Sequence, residues 1–127
     1  MIQMGTYLNV IDNSGAKDIC CIKVSKGYRR RYAVIGDVIT ASIKNIRKNK
    51  KLTTKVQKGD VVKALVVRTR SANVSKLNEH LIFNENGAVL ITKQNKLIGT
   101  RVFGVIPKKL KYTKFLRITS LSSGIVK

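Results

Sequence analysis

The sequence predicts a mainly β fold, a small closed barrel followed by a partly helical C-terminal part. Alternation of apolar and polar residues dominates most of the 127-residue chain, and Gly, Asn and Asp turn signals bound each run. Several short strands at regular spacing are what a sheet needs to close on itself. After "IGTRVFG", residues 98–104, the alternation stops and the character changes.

"TYLNVID" reads as the first strand, closed by "DNSGA", a turn of Asx and Gly chemistry. "DICCIKV" is the second. Its parity predicts Cys20, Ile22 and Val24 facing inward and Lys23 outward. The adjacent Cys20 and Cys21 point to opposite faces, which suits small hydrophobes better than a disulfide or a metal clip. A third strand starts at about Val38, with Ile39, Ala41 and Ile43 on the apolar side and Thr40, Ser42 and Lys44 on the other. The basic stretch "IRKNKKLTTKVQKGD" reads as a long hairpin tip. "DVVKALVVRT" is apolar on both parities through Val67, which predicts a central strand buried on both faces. "SANVSKLN" reads as a loop, and "HLIFNENGAVLIT" as a strand pair around the "NENG" turn. Two segments, "IGDVITASIK" and "KGDVVKALVV", open alike with Gly-Asp at a turn, which convergent turn chemistry explains better than a repeat. In "PKKLKYTKFLRITSLS" the only proline, Pro107, suits a first helical position. One or two short helices are expected there, packing through Leu110, Phe115, Leu116 and Leu121. The whole chain, 1–127, reads as one domain, barrel to about residue 100 and the partly helical part after it.

Charge bounds the function. The chain carries 26 basic and 6 acidic residues, a formal +20. A merely solvated surface mixes both signs, so this excess points to a polyanionic partner. Membranes fit poorly. No apolar run is long enough to span a bilayer, and no basic amphipathic helix is evident. The start has neither a signal-peptide nor a transit-peptide pattern, so use in the compartment of synthesis is expected. An enzyme is not expected either. His80 is the sole histidine, and Asp12, Asp37 and Asp60 sit beside turn residues, where Asp binds backbone N–H groups. No catalytic triad, metal cluster or nucleotide-binding glycine pattern can be assembled, and no cofactor is expected.

The cations concentrate on loops and strand ends. Between Lys23 and Lys58 there are twelve, including Arg29, Arg30, Arg31, Lys44, Arg47, Lys48, Lys50, Lys51 and Lys55, interrupted by one acid, Asp37. Arg68 and Arg70 end the fourth strand. Between Arg101 and Arg117 there are six more and no acid, with Lys108, Lys109, Lys111 and Lys114 among them. This is the footprint expected for gripping phosphates. Aromatics near the charges are few, Tyr28, Tyr32, Tyr112 and Phe115, so folded RNA read by shape fits better than single strands.

"MIQMGTYLNVIDNSGAKDICCIKV", "RRYAVIGDVI", "KGDVVKALVVRTR", "FNENGAVLI", "IGTRVFG" and "SLSSGIVK" together resemble the universal large-subunit ribosomal protein fourteen family, in register over nearly the whole chain. Departures are Leu77-Asn78 where the family usually has Asp-Gly, a longer hairpin tip, a displaced proline with Lys109 where many members have glutamate, and a C-terminus lacking the usual proline and glutamate. The resemblance implies a five-stranded barrel with a long β-ribbon and a short helical C-terminal part. It implies binding to large-subunit rRNA, a share in bridges to small-subunit rRNA, and contact with the ribosomal proteins numbered three and nineteen. It places Thr100, Arg101, Lys114 and Arg117 near a subunit-facing surface where a ribosomal silencing factor docks. Eighteen lysines against eight arginines, with abundant Asn and Ile, suggest an AT-rich genome and an organelle-encoded, mitochondrial protein, with a bacterium or plastid as the alternative.

Overall fold

The computed structural model describes residues 2–25, 27, 31–48, 55–71, 73–74, 80–112 and 115–126, with the backbone alone at 73, 74, 80 and 112. Five strands, β1 (Tyr7–Val10), β2 (Ala16–Val24), β3 (Val38–Ile46), β4 (Val61–Arg68) and β7 (Gly87–Ile91), form a closed barrel in the order β1-β2-β3-β4-β7. Neighbours run antiparallel except at the closure, where β1 and β7 pair in parallel through Asn9↔Gly87 and Val10↔Ala88.

The alternation of β3 is as the sequence predicts: Ile39, Ala41 and Ile43 are buried and Lys44 is exposed. On β2 the parity differs. Ile19, Cys21 and Val24 are buried, whereas Ile22 is exposed and Cys20 is only half-buried. A β-bulge causes this. Cys21 faces Ala41 and Lys23 faces Thr40, so one extra residue is inserted on β2 and the parity flips before Val24.

β4 and β7 are buried on both faces for a specific reason. Ala64, Val66, Ala88 and Leu90 point into the barrel. Leu65, Val67, Val89 and Ile91 point into a second apolar cluster, which Ile35, Val102, Ile106, Leu110, Phe115 and Ile118 complete. The C-terminal part supplies most of that cover. It contains β8 (Val105–Pro107), a 3₁₀ helix (Lys108–Tyr112), the single-turn helix α1 (Arg117–Leu121) and β9 (Gly124–Val126), which pairs in parallel with β8. Pro107 ends β8 just before the 3₁₀ helix. Ile118, not Leu116, is the buried anchor of α1, and Leu116 is exposed.

The "SANVSKLN" segment is not wholly loop. β5 (Asn73–Val74) pairs with β6 (His80–Leu81). β6 does not pair with β7 across "NENG": β7 pairs with β4 and β1 instead. Of the predicted hairpin tip, residues 49–54 lie outside the described residues. Before the tip the β3–β4 ladder ends at mutual backbone bonds among Ile43, Gly59 and Asp60, and Val56 packs into the barrel core.

The two Gly-Asp turns use one device. Gly36 and Gly59 have φ of 94° and 91°, the left-handed region required at the third position of a type II turn. In each the Asp N–H closes onto the residue three before it, and the carboxylate accepts that residue's N–H: Val34 N to Asp37 Oδ2 at 3.0 Å and Gln57 N to Asp60 Oδ2 at 2.9 Å.

Candidate RNA-binding surface

The described acidic side chains are engaged by the protein's own groups, and two of them, Asp12 and Asp37, are buried. Asp12 is buried and accepts from Ser14 N (3.1 Å), Ser14 Oγ (2.5 Å) and Leu90 N (3.1 Å). Burial raises its pKa above the ordinary 3.8, against the lowering effect of these bonds and of the Arg47 charge. Asp37 and Asp60 hold their turns. Asp18 accepts from Asn45 Nδ2 (3.0 Å), and Glu85 from Asn9 Nδ2 (2.8 Å) and Arg68 Nη1 (3.2 Å). Five of the six acids are thus engaged by the protein's own groups, and Glu79 lies outside the described residues.

Cations, by contrast, face outward. Lys23 and Lys44 stand on the outer face of β2 and β3, and Arg31, Lys48, Lys55 and Arg70 on the connections. Lys108, Lys109 and Lys111 are exposed on the 3₁₀ helix, as are Arg101 on the loop before β8 and Arg117 at the start of α1. None of these pairs with an acid among the described residues. The ion pair among those residues is Arg68–Glu85, at 3.2 Å. Arg29, Arg30, Lys50, Lys51 and Lys114 lie outside the described residues.

Three predicted grips are partly or wholly committed elsewhere. Arg68 is 8% exposed and turned inward. Its Nε donates to Val105 O (2.8 Å), its Nη2 to Phe103 O and its Nη1 to Glu85. Its β4 position faces the C-terminal part, whose carbonyls accept from its guanidinium, so it acts as a strut between β4 and that part. Gly104 (φ 79°) passes directly over this guanidinium, where any Cβ would collide with Nη2. Arg47 is half-buried. Its Nη2 donates to Val10 O (3.0 Å), and its guanidinium carbon lies 5.7 Å from the Phe103 ring centroid, a cation–π contact. Lys55 Nζ donates to Ile98 O (3.0 Å).

The loop carrying Thr100 and Arg101 is held by Asn13, a residue the sequence reading passed over. Asn13 Oδ1 accepts from Thr100 N (2.7 Å) and Arg101 N (3.1 Å), and Asn13 Nδ2 donates to Thr100 Oγ1 (2.8 Å). Val102 N donates to Leu121 O (3.4 Å), so the same loop is tied to α1, which begins at Arg117. The available signal was Asn13 itself, an Asx residue inside the "DNSGA" turn with a second face to use.

Among the described residues, no helix is long and apolar enough to cross a membrane, and no three His, Cys, Asp or Glu are grouped to hold a metal ion. The arrangement defines a class, a small closed β-barrel with a cationic exterior, whose described acids are engaged by the protein's own groups. The model of the family described as ribosomal protein L14p/L23e matches residues 1–126, and the chain belongs to that family. Its members are structural proteins of the large ribosomal subunit in translation rather than enzymes.

Proposed function

We propose that this chain binds large-subunit rRNA through phosphates met by Lys23, Arg31, Lys44, Lys48, Lys55, Arg70, Lys108, Lys109 and Lys111, together with Arg29, Arg30, Lys50 and Lys51. The observation that carries this is the division of charge: among the described residues the acids are engaged by the protein's own groups, and none of the exposed cations pairs with one. Lysines and arginines in that state bind polyphosphate by counterion release. Arginines add a bidentate fork.

In this reading Thr100, Arg101, Lys114 and Arg117 form a subunit-facing surface. It serves bridges to small-subunit rRNA and the docking of a ribosomal silencing factor. Neighbours of the three and nineteen types complete the protein's surroundings. The lysine-rich composition supports a mitochondrial ribosome, with the chain organelle-encoded; a bacterium or plastid is the alternative.

The test is sedimentation. The native chain should travel with the large ribosomal particle and stay there through high-salt washing. Release into the supernatant under those conditions would mark a free translation factor or RNA chaperone instead. For the subunit-facing surface, Arg101→Ala with Arg117→Ala should leave incorporation into large subunits nearly normal and reduce capture of the silencing factor. Failed incorporation with intact capture by the few assembled particles would assign both arginines to the rRNA interface.

A further inference from the structure

One cleft does not match the rest of the exterior. It lies between β1, the start of β2, the end of β3 and the loop before β8, with a volume of about 920 Å³. Its lining includes four cations, Lys17, Arg47, Lys48 and the inward-turned Arg68, but also two of the chain's six acids, Asp18 and Glu85, and the aromatic ring of Phe103. A site shaped only for phosphate would not carry two carboxylates.

Phe103 is 42% exposed, although it is large and apolar. It is also held firmly. Its N–H donates to Ile11 O (2.7 Å), its carbonyl accepts from Arg68 Nη2, and the Arg47 guanidinium carbon sits over its ring at 5.7 Å. A fixed aromatic ring bearing a cation on its face and open to solvent is a stacking platform. Asp18 and Glu85 are likewise fixed, by Asn45 and by Asn9 with Arg68. A carboxylate has about four lone-pair sites, so each can still accept further hydrogen bonds. What stacks on a ring, donates to a carboxylate and carries an anion within reach of lysines is a nucleotide.

We propose that this cleft receives one unstacked nucleotide of RNA, its base on Phe103 and its phosphate at the rim beside Lys17 and Lys48. The base carries an exocyclic amino group, as cytosine, adenine and guanine do, because the carboxylates accept hydrogen bonds, whereas uracil offers them only its N3–H and its O4 finds no donor in a carboxylate. This rests on the RNA-binding reading above and adds to it a single base-reading position on a surface otherwise made for phosphates.

The experiment uses the full chain with the single-stranded oligonucleotides C6 and U6, each titrated at several salt concentrations. C6 should bind more tightly than U6. Phe103→Leu should weaken C6 binding roughly 5- to 150-fold, the range for loss of one stacked base, with the slope of affinity against salt unchanged. Asp18→Asn should narrow the gap between C6 and U6. In the wild type the Phe103 ring resonances should shift on adding C6, a readout independent of whether the variants fold. Steep salt slopes with no shift at Phe103 and no C6 preference would overturn the cleft proposal while leaving phosphate binding intact. A flat salt slope would overturn the RNA reading itself. Shifts at Phe103 with hexalysine but not with C6 would overturn the proposal in favour of a basic peptide.

Discussion

The barrel interior and the apolar cluster outside it share two strands but are secured differently. Inside, Leu8, Ile19, Ile39, Ile43 and Leu90 are enclosed by a ladder that closes on itself. Outside, Leu65, Val89, Ile106, Leu110 and Ile118 are covered by a segment with only short elements of its own. That cover is fastened by side chains reaching backbone: Arg68 to Phe103 and Val105, Asn13 to Thr100 and Arg101, Ser123 Oγ to Gly104 O. The barrel is therefore a scaffold, and the C-terminal part is a tethered layer carrying Arg101 and Arg117. Elements held by few ladder bonds are the ones that open at low free energy.

The largest effect should come from the scaffold. Leu90→Ala removes a fully buried side chain from the closed core and should cost about 2–5 kcal/mol of global stability in denaturant unfolding. Ile118→Ala removes equally buried apolar volume from the other cluster. It should speed hydrogen exchange chiefly in residues 102–126 and spare the amides of β2 and β3. Equal loss of protection throughout would mean that the two clusters unfold as one.

Next comes the strut. Arg68→Met keeps an apolar stem but removes the donors to the part-buried carbonyls of Phe103 and Val105, which should cost about 0.5–1.5 kcal/mol for each hydrogen bond lost. Binding to RNA should fall no more than the loosened C-terminal layer explains. An Arg68→Met protein of wild-type stability with much weaker RNA binding would make Arg68 a phosphate ligand after all.

A smaller effect concerns Asp12, which joins the barrel to the 99–102 loop. Burial raises its pKa in the folded state, so just above 3.8 the folded protein keeps a proton that the unfolded chain has released. Its contribution to stability therefore falls as pH rises through that window. Asp12→Asn abolishes this titration and presents an amide to Leu90 N–H, at a cost of about 1 kcal/mol. The stability gap between wild type and variant should be widest at the acid end of the window and narrower at neutral pH. A gap that widens toward neutrality contradicts the raised pKa.

Much of the scaffold was legible in the sequence, because a strict period of two on β3 and unbroken apolarity on β4 have few other solutions. The Asp residues beside turns were legible for the same local reason, and Asp37 and Asp60 do what turn aspartates do. The parity of β2 was not, since a bulge leaves no mark in composition. Neither was the division among the cations. Arg68 and Arg70 look alike in "VVRTR", yet the first is buried under Gly104 and the second is exposed. Which one turns inward depends on carbonyls 35 and 37 residues away, a long-range fact that no local pattern encodes. Leu116 and Ile118 differ in the same way, their burial decided by how one helical turn sits on β4 and β7.

The smallest effect on stability should come from the outward cations. Arg31→Ala should change folding stability by no more than about 0.5 kcal/mol, because Arg31 is exposed, while reducing affinity for RNA. The most direct test of that outward charge is the salt dependence of binding to isolated large-subunit rRNA. Roughly six to ten phosphate contacts predict a loss of about 10³–10⁵ in affinity between 50 and 200 mM salt, a straight and steep line on a log–log plot. A nearly flat line would contradict the claim that these cations grip phosphates.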